Sequence, residues 1–357
     1  VPPRRSSDRG AVDEASLARA FARRWRLPFL PDPRPDAANG PGVFAAGLAS
    51  VEGEGPRFAV VPRGLRGQAL LRALRRPGPP PDGRVAVAPA DALRAAAFAA
   101  LGPRLAREAA TSLPDDLAAR RLAIRPAQAT VLLATAVTIL LALAASGALR
   151  AAAMLALGFF FLLAVGARLA STLAARDEPP DAPPLAERDL PRYAVVVAMH
   201  REEDVVADLV AALARFDYPR EKLRVSLVVE EDDAPTRAAL AALHLPAHME
   251  VVVVAPGRPR TKPRALNVAL AACDAELLVI YDAEDRPQPD QLRKAAARFA
   301  AAPASLACLQ ARLAIDNARE SLLTRLFALD YAGLFEIANP GLAALGWPML
   351  LGGTSNH

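Results

Sequence analysis

The residues best able to do chemistry are Tyr-Asp-Ala-Glu-Asp, positions 281–285. A hydrophobic run, Leu277–Tyr281, delivers Asp282, Glu284 and Asp285 onto one short turn, and Pro287 and Pro289 close it. Hard carboxylate oxygens at this spacing suit Mg2+ or Mn2+, with coordination positions left for substrate phosphates. Such an ion would neutralise a departing diphosphate as a Lewis acid. Three more polar clusters each follow an apolar run: Met199–Asp204, Glu230–Thr236, and the basic stretch Pro256–Leu270. One acidic cluster alone is more commonly a solvated loop. Acidic clusters massed at one edge of a sheet would repel one another unless a cation or cationic side chains compensate.

The elements that must position these clusters alternate regularly. The sequence predicts strands over Tyr193–Ala198, Leu223–Val229, Met249–Val254 and Leu277–Tyr281. Helices are expected over Glu203–Phe216, Thr236–Leu243, Pro263–Ala272 and Pro289–Ala301. Continuous Val/Ile/Leu runs between helices imply an α/β fold with a parallel sheet covered on both faces. Ligands of such sheets bind beyond the carboxyl ends of the strands, where all four clusters would lie.

Residues 1–115 form a small α/β module without a catalytic constellation. Helices are expected over Val12–Trp25, Arg66–Leu74 and Asp91–Leu101, the last opened by an aspartate cap, and strands over Phe58–Pro62 and Val85–Ala88. Pro126–Leu149 then runs about 24 residues without a charge, and Ala151–Ala167 about 17 more, which reads as two transmembrane helices within residues 126–171. Arg120, Arg121 and Arg125 flank one side and Arg168 and Arg176 the other, so both outer ends are expected in the cytoplasm. Residues 172–191 form a linker rich in Pro and acidic residues. The remainder, 192–357, is the domain that carries the clusters.

Bulk composition narrows the function classes. The chain is 53% hydrophobic, much of it alanine, and a formal charge of +5 fits a surface near anionic lipid or nucleotide. No basic stripe interleaves with aromatics, so nucleic acid is not an expected partner. Cys273 and Cys308 lack metal-site spacing. No Gly-x-Gly-x-x-Gly follows the first strand of the C-terminal domain, which argues against nicotinamide chemistry. The first twenty residues carry no secretory signal. The start at Val1 and the close on Gly-Gly-Thr-Ser-Asn-His read as cut points.

In order, VVVAMHREED, VVEEDD, KPRALNVAL and VIYDAEDRPQPDQL resemble the family 2 glycosyltransferases, and among them the membrane-bound, cellulose-synthase-like polysaccharide synthases. The resemblance covers residues 192–357 and implies a GT-A fold that uses a nucleotide-diphosphate sugar, most simply a UDP-sugar. It implies that Glu202 and Glu203 line the nucleotide pocket and that Glu231 or Asp232 reads the base. Lys262 and Asn267 would stand beside the diphosphate and sugar. Asp282 and Glu284 match the metal motif, and Asp285 could share the ion. Gly353, Thr354, Ser355 and Asn356 fall where the family has an acceptor-side segment. EEDDAP departs from the family's Asp-Asp-Gly, which leaves the base reader open.

The family's Thr-Glu-Asp base and Gln-x-x-Arg-Trp acceptor clamp do not occur, so the catalytic base is expected beyond His357 and this stretch alone is expected to be inactive. The resemblance implies inverting transfer to a growing polysaccharide or other glycan, at the cytoplasmic face of a bacterial inner membrane. The acceptor would be a glycan or lipid-linked. A polyprenyl-phosphate sugar transferase and a non-catalytic membrane scaffold or nucleotide sensor remain alternatives. The N-terminal module resembles, at pattern level, the N-terminal domain of type II secretion ATPases, and could receive a partner or a cyclic dinucleotide.

Overall fold

The computed structural model describes residues 14–62, 84–111, 114, 126–144, 147–175 and 181–357. The helix expected over Arg66–Leu74 lies outside the described residues, as do Arg120, Arg121, Arg125 and Arg176. The chain divides into two compact units, Val1–Ser112 with Ala182–Ala304, and Leu113–Asp181 with Ser305–His357. The N-terminal module and the four strands of the larger sheet fall in the same unit, which takes in residues up to 304.

In the first unit, β4 (Tyr193–Met199), β5 (Leu223–Glu230), β6 (Met249–Val254) and β7 (Leu277–Tyr281) form a parallel sheet in the order β6-β5-β4-β7. The expected α/β fold is therefore present, strand for strand. The register pairs Met199 with Val229, Glu230 with Val254 and Val197 with Tyr281, so the carboxyl ends lie roughly level. Side chains alternate between the faces. Val196, Val228, Val252 and Val254 share one cluster with Ala265, Val268 and Ala269 of helix Lys262–Ala271.

The same cluster takes in Leu93, Ala97, Leu101, Leu105 and Ala109 of helix Ala90–Ala109. These follow a spacing of four that lines one helix face. The helix continues through Pro103, where the sequence pattern suggests a stop. An internal proline removes one hydrogen bond; burial of Leu101, Leu105 and Ala106 on both sides of it offsets that loss. Asp91 is not the cap: the helix starts at Ala90, and Asp91 accepts from the Ala92 N–H inside the first turn, 2.8 Å. A smaller sheet, β1 (Leu48–Ser50), β2 (Phe58–Val60) and β3 (Val85–Val87), sits beneath helix Glu14–Trp25, which buries Ala18 and Ala22.

Arg94 fixes the module to β6. Its guanidinium donates to both Glu250 oxygens, at 2.5 and 2.9 Å, and to the Ala272 carbonyl at 2.9 Å. It also lies over the rings of Phe44 and Phe98. Burial works against the Glu250 charge, but Arg94, Arg224 and the Ser226 hydroxyl hold its pKa below the usual value.

The second unit holds helices Pro126–Ala144 and Gly147–Ala174. Arg150–Ala174, 25 residues, is long and apolar enough to cross a membrane; the apolar part of the preceding helix, Ala129–Leu141, is shorter. One candidate span is thus present among the described residues, and a two-span hairpin is not established. Leu155, Phe159, Phe160, Phe161 and Leu162 are exposed. The end of the long helix meets Asn339–Ala344 so closely that a Cβ on Gly341 would collide with the Ser171 carbonyl. Helix Leu322–Ala332 buries none of its residues, and Leu322, Leu323, Leu326, Phe327 and Leu329 are exposed.

Candidate functional site

The loops after β4, β5, β6 and β7 are joined by a continuous series of polar contacts. Asp233, its side chain 1% exposed, joins the first two. It accepts from the Arg201 N–H at 2.7 Å and, as N-cap of helix Ala234–Ala241, from the Thr236 N–H at 3.4 Å. Arg201 takes a left-handed backbone, φ 61°, that this carboxylate holds in place. The Thr236 hydroxyl in turn accepts from the Glu202 N–H at 3.0 Å. Burial disfavours the Asp233 charge, yet the Arg201 amide, Thr236 and His200 bring its pKa below the usual value.

Glu202 thereby sits at the rim of the sheet. Burial, then repulsion from Glu284, Asp282, Glu203 and Asp233, raises its pKa. Carboxylates from the ends of β4, β5 and β7 therefore lie within electrostatic reach of one another. Glu203 and Glu284 are exposed there.

The third and fourth loops meet through Lys262, the first residue of helix Lys262–Ala271, whose ammonium contacts the Asp282 carboxylate. Asp285 turns inward: its Oδ2 accepts from the Asp282 N–H at 2.7 Å and closes the turn. It shapes the loop that presents Asp282 and Glu284. Among the described residues no three His, Cys, Asp or Glu side chains converge as a metal cage. Asp282 and Glu284 offer the carboxylate oxygens a hard cation needs, with the remaining positions left to phosphate and water.

A cleft of about 930 Å3 opens between the ends of β5 and β6, lined by Glu230, Asp232, Gly257, Arg258, Pro259 and Arg260. Asp232 is paired with Arg260 across it. Glu231 is exposed and does not line it; its carbonyl accepts from Arg237 at 2.7 Å. Of the two candidate base readers, Asp232 is the one at the cleft. Sequence reasoning missed Glu230, Asp233, Arg258, Arg260 and Arg264. In a run of four acids, only the strand register shows that Glu230 ends β5 and that Asp233 opens the next helix.

Asn267 departs most from expectation. Its amide donates to the Ala109 carbonyl, at the end of helix Ala90–Ala109, at 3.2 Å. One side of helix Lys262–Ala271 therefore receives the N-terminal module, while its first residue faces Asp282. Arg264 is buried on that side with Ala265, Val268 and Ala269. The signal was present: Arg264 stands four residues before Val268, on an apolar face.

Gly353, Thr354, Ser355 and Asn356 belong to the second unit. Leu309 and His357 exchange backbone hydrogen bonds at 3.0 and 2.9 Å, and the Ala311 N–H donates to the Ser355 carbonyl at 3.0 Å. Gln310 accepts from the Gly352 N–H at 2.6 Å and donates to the Thr354 carbonyl at 3.1 Å. Thr354, Ser355 and His357 are buried and Gly353 is exposed. Asn356 donates to the Gly352 carbonyl at 2.7 Å. The segment is a pinned loop, largely buried except for the exposed turn at Gly353.

Residues 191–335 match the family model described as "Glycosyltransferase like family 2". A "Beta-monoglucosyldiacylglycerol synthase" of Synechocystis sp. is 31% identical over 153 residues, 41% of this chain and 32% of the relative. "Probable glycosyltransferase YdaM" of Bacillus subtilis is 24% identical over 105 residues, 28% of this chain and 24% of the relative. The chain thus spans a third or less of these curated relatives. Among solved structures, a mannosyltransferase from Pyrobaculum calidifontis in complex with GDP-Man and Mn2+ is 23% identical, with a TM-score of 0.35, over 53% of this chain and 63% of that one. Staphylococcus aureus TarS 1–349 in complex with UDP-GlcNAc is 25% identical, with a TM-score of 0.27, over 30% of this chain and 31% of that one. Residues 191–335 are thus similar to the glycosyltransferase family 2-like domain.

Proposed function

We propose that the edge of the β6-β5-β4-β7 sheet binds a nucleotide-diphosphate sugar with a divalent cation, and that the whole protein transfers that sugar to a glycan or lipid-linked acceptor at a membrane. The observation that carries this reading is the Lys262–Asp282 contact. It sets a phosphate-binding cation beside a metal-type carboxylate, next to an open cleft.

In this reading the base and ribose enter the cleft between Asp232 and Arg258. Arg260 can release Asp232 to the nucleotide and turn to phosphate, since an exposed pair of this kind is held by about 1 kcal/mol or less. Lys262 stands at a helix N-terminus, where its charge and the helix dipole both favour an anion. Asp282 and Glu284 would hold Mg2+ or Mn2+, which when bound withdraws charge from the leaving diphosphate. Inverting transfer also needs a carboxylate to deprotonate the acceptor hydroxyl; none of the carboxylates named at the sheet edge is assigned that role. A membrane location is supported by the apolar helix Arg150–Ala174 and by the exposed leucines of Leu322–Ala332.

Calorimetric titration with UDP and GDP, in Mn2+ and in EDTA, tests the reading. Metal-dependent binding is expected, and Asp282→Asn should weaken it about tenfold or more, or about 1.4 kcal/mol. Equal affinity for variant and parent would remove Asp282 from the metal site. A parent chain that binds neither nucleotide would favour the scaffold alternative.

A further inference from the structure

Arg264 is among the largest fully buried side chains, and its three bonding directions reach three separate parts of the fold. Nη1 donates to both Glu230 oxygens, at 3.3 and 3.4 Å. Nη2 donates to the Ala255 carbonyl. Nε donates to the Ala106 carbonyl of helix Ala90–Ala109 at 3.3 Å. Glu230 and the loop after Ala255 are the two sides of the cleft. Gly257, which lines it, rests against the guanidinium: a Cβ there would come within 2.6 Å of Nη2. Three residues along the same helix face, Asn267 donates to Ala109.

We propose that Arg264 is a positioning residue through which the C-terminal end of helix Ala90–Ala109 becomes part of the cleft's supporting wall. The N-terminal module is then a working part of the ligand site. This inference rests on the cleft being the nucleotide site proposed above.

The physical argument is one of charge and shape. A guanidinium removed from water is tolerated only when its donors are satisfied and its charge is met. Glu230 meets the charge, and the last-turn carbonyl of a helix, at the negative end of the helix dipole, accepts from Nε. Arginine's planar fork then fixes Glu230 and Ala255 relative to each other, which a lysine would not do. When the module's helix shifts, Nε loses its acceptor and the fork rotates, carrying Glu230 and the Gly257 wall with it.

Four variants of the full chain test this, each measured for Mn2+-UDP and Mn2+-GDP affinity well below its Tm, and for Tm. Arg264→Gln should weaken nucleotide binding about tenfold, and Asn267→Ala about threefold. Gly257→Ala keeps every charge and pushes the guanidinium aside; it should weaken binding about fivefold, with a smaller loss of Tm than Arg264→Gln because the Glu230 charge keeps its partner, so the proposal stays testable should Arg264→Gln fail to fold. Arg94→Ala cuts the module's other anchor, away from the cleft; it should lower Tm and leave affinity within about twofold. If Arg264→Gln and Gly257→Ala bind nucleotide as the parent does, Arg264 is merely structural and the proposal fails. A parent without nucleotide binding overturns the donor-site reading itself, and this inference with it.

Discussion

Glu202 shows how single residues report on the site. Burial and four neighbouring carboxylates raise its pKa. A raised acid pKa means that its charge opposes folding at neutral pH, and that the penalty fades as pH falls through that pKa. Glu202→Gln should therefore raise the Tm of metal-free protein at pH 7. The gain should shrink in acid and in Mn2+, which thermal unfolding at several pH values would detect. His248 has the opposite sign. Burial, then Arg220, lowers its pKa to about 4, and its ring contacts Arg220 at 2.8 Å. Its contribution is full above the unfolded value of about 6.5 and is lost between there and 4, at up to about 1.4 kcal/mol per pH unit. His248→Gln should flatten that part of the curve, as denaturant titrations between pH 4 and 7 would show. At this scale the sequence made the charged residue types plain but not their roles. Asp282, Asp285 and Asp233 are chemically alike; a contact to Lys262, a turn closure and a helix cap distinguish them.

Among elements, the four strands of the larger sheet were legible because their short Val/Ile/Leu runs between helices are what a parallel sheet covered on both faces requires. The helix after β4 starts at Val206 rather than Glu203. Thr236 draws the Glu202 backbone into the site loop, and no local pattern records a partner 34 residues away. Helix Ala90–Ala109 was cut short in the sequence reading at Gly102-Pro103 for the same reason: the burial that carries it onward comes from β6 and helix Lys262–Ala271. The Arg94–Glu250 pair, 156 residues apart, was beyond any local pattern. Its side chains are only 11% and 18% exposed, so Arg94→Ala leaves a largely buried carboxylate matched only by Arg224 and Ser226, at a cost below the roughly 3–5 kcal/mol of a fully unmatched buried charge. Denaturant unfolding should show that loss, with much of it recovered when Glu250→Gln is added.

For the whole molecule, the sequence divides the chain at composition changes, and the fold regroups the pieces into two units. Pro-rich spacers mark where the chain crosses between units, whereas the shared core decides what belongs together. The N-terminal module, read as a separate body, is covered on one side by the sheet it supports. In the second unit, apolar side chains of Gly147–Ala174 and Leu322–Ala332 face outward, which a bilayer accommodates and water does not. The chain should therefore sediment with membranes, resist carbonate extraction and dissolve in detergent; release by carbonate alone would contradict the membrane reading.

The central claim is a cation between the β7 turn and a bound diphosphate. Anomalous diffraction from crystals soaked with Mn2+ and UDP or GDP locates that cation directly. A single manganese peak within bonding distance of Asp282 or Glu284, with phosphate density between it and Lys262, is the expected result. Nucleotide density in the cleft with no manganese near either carboxylate would contradict it.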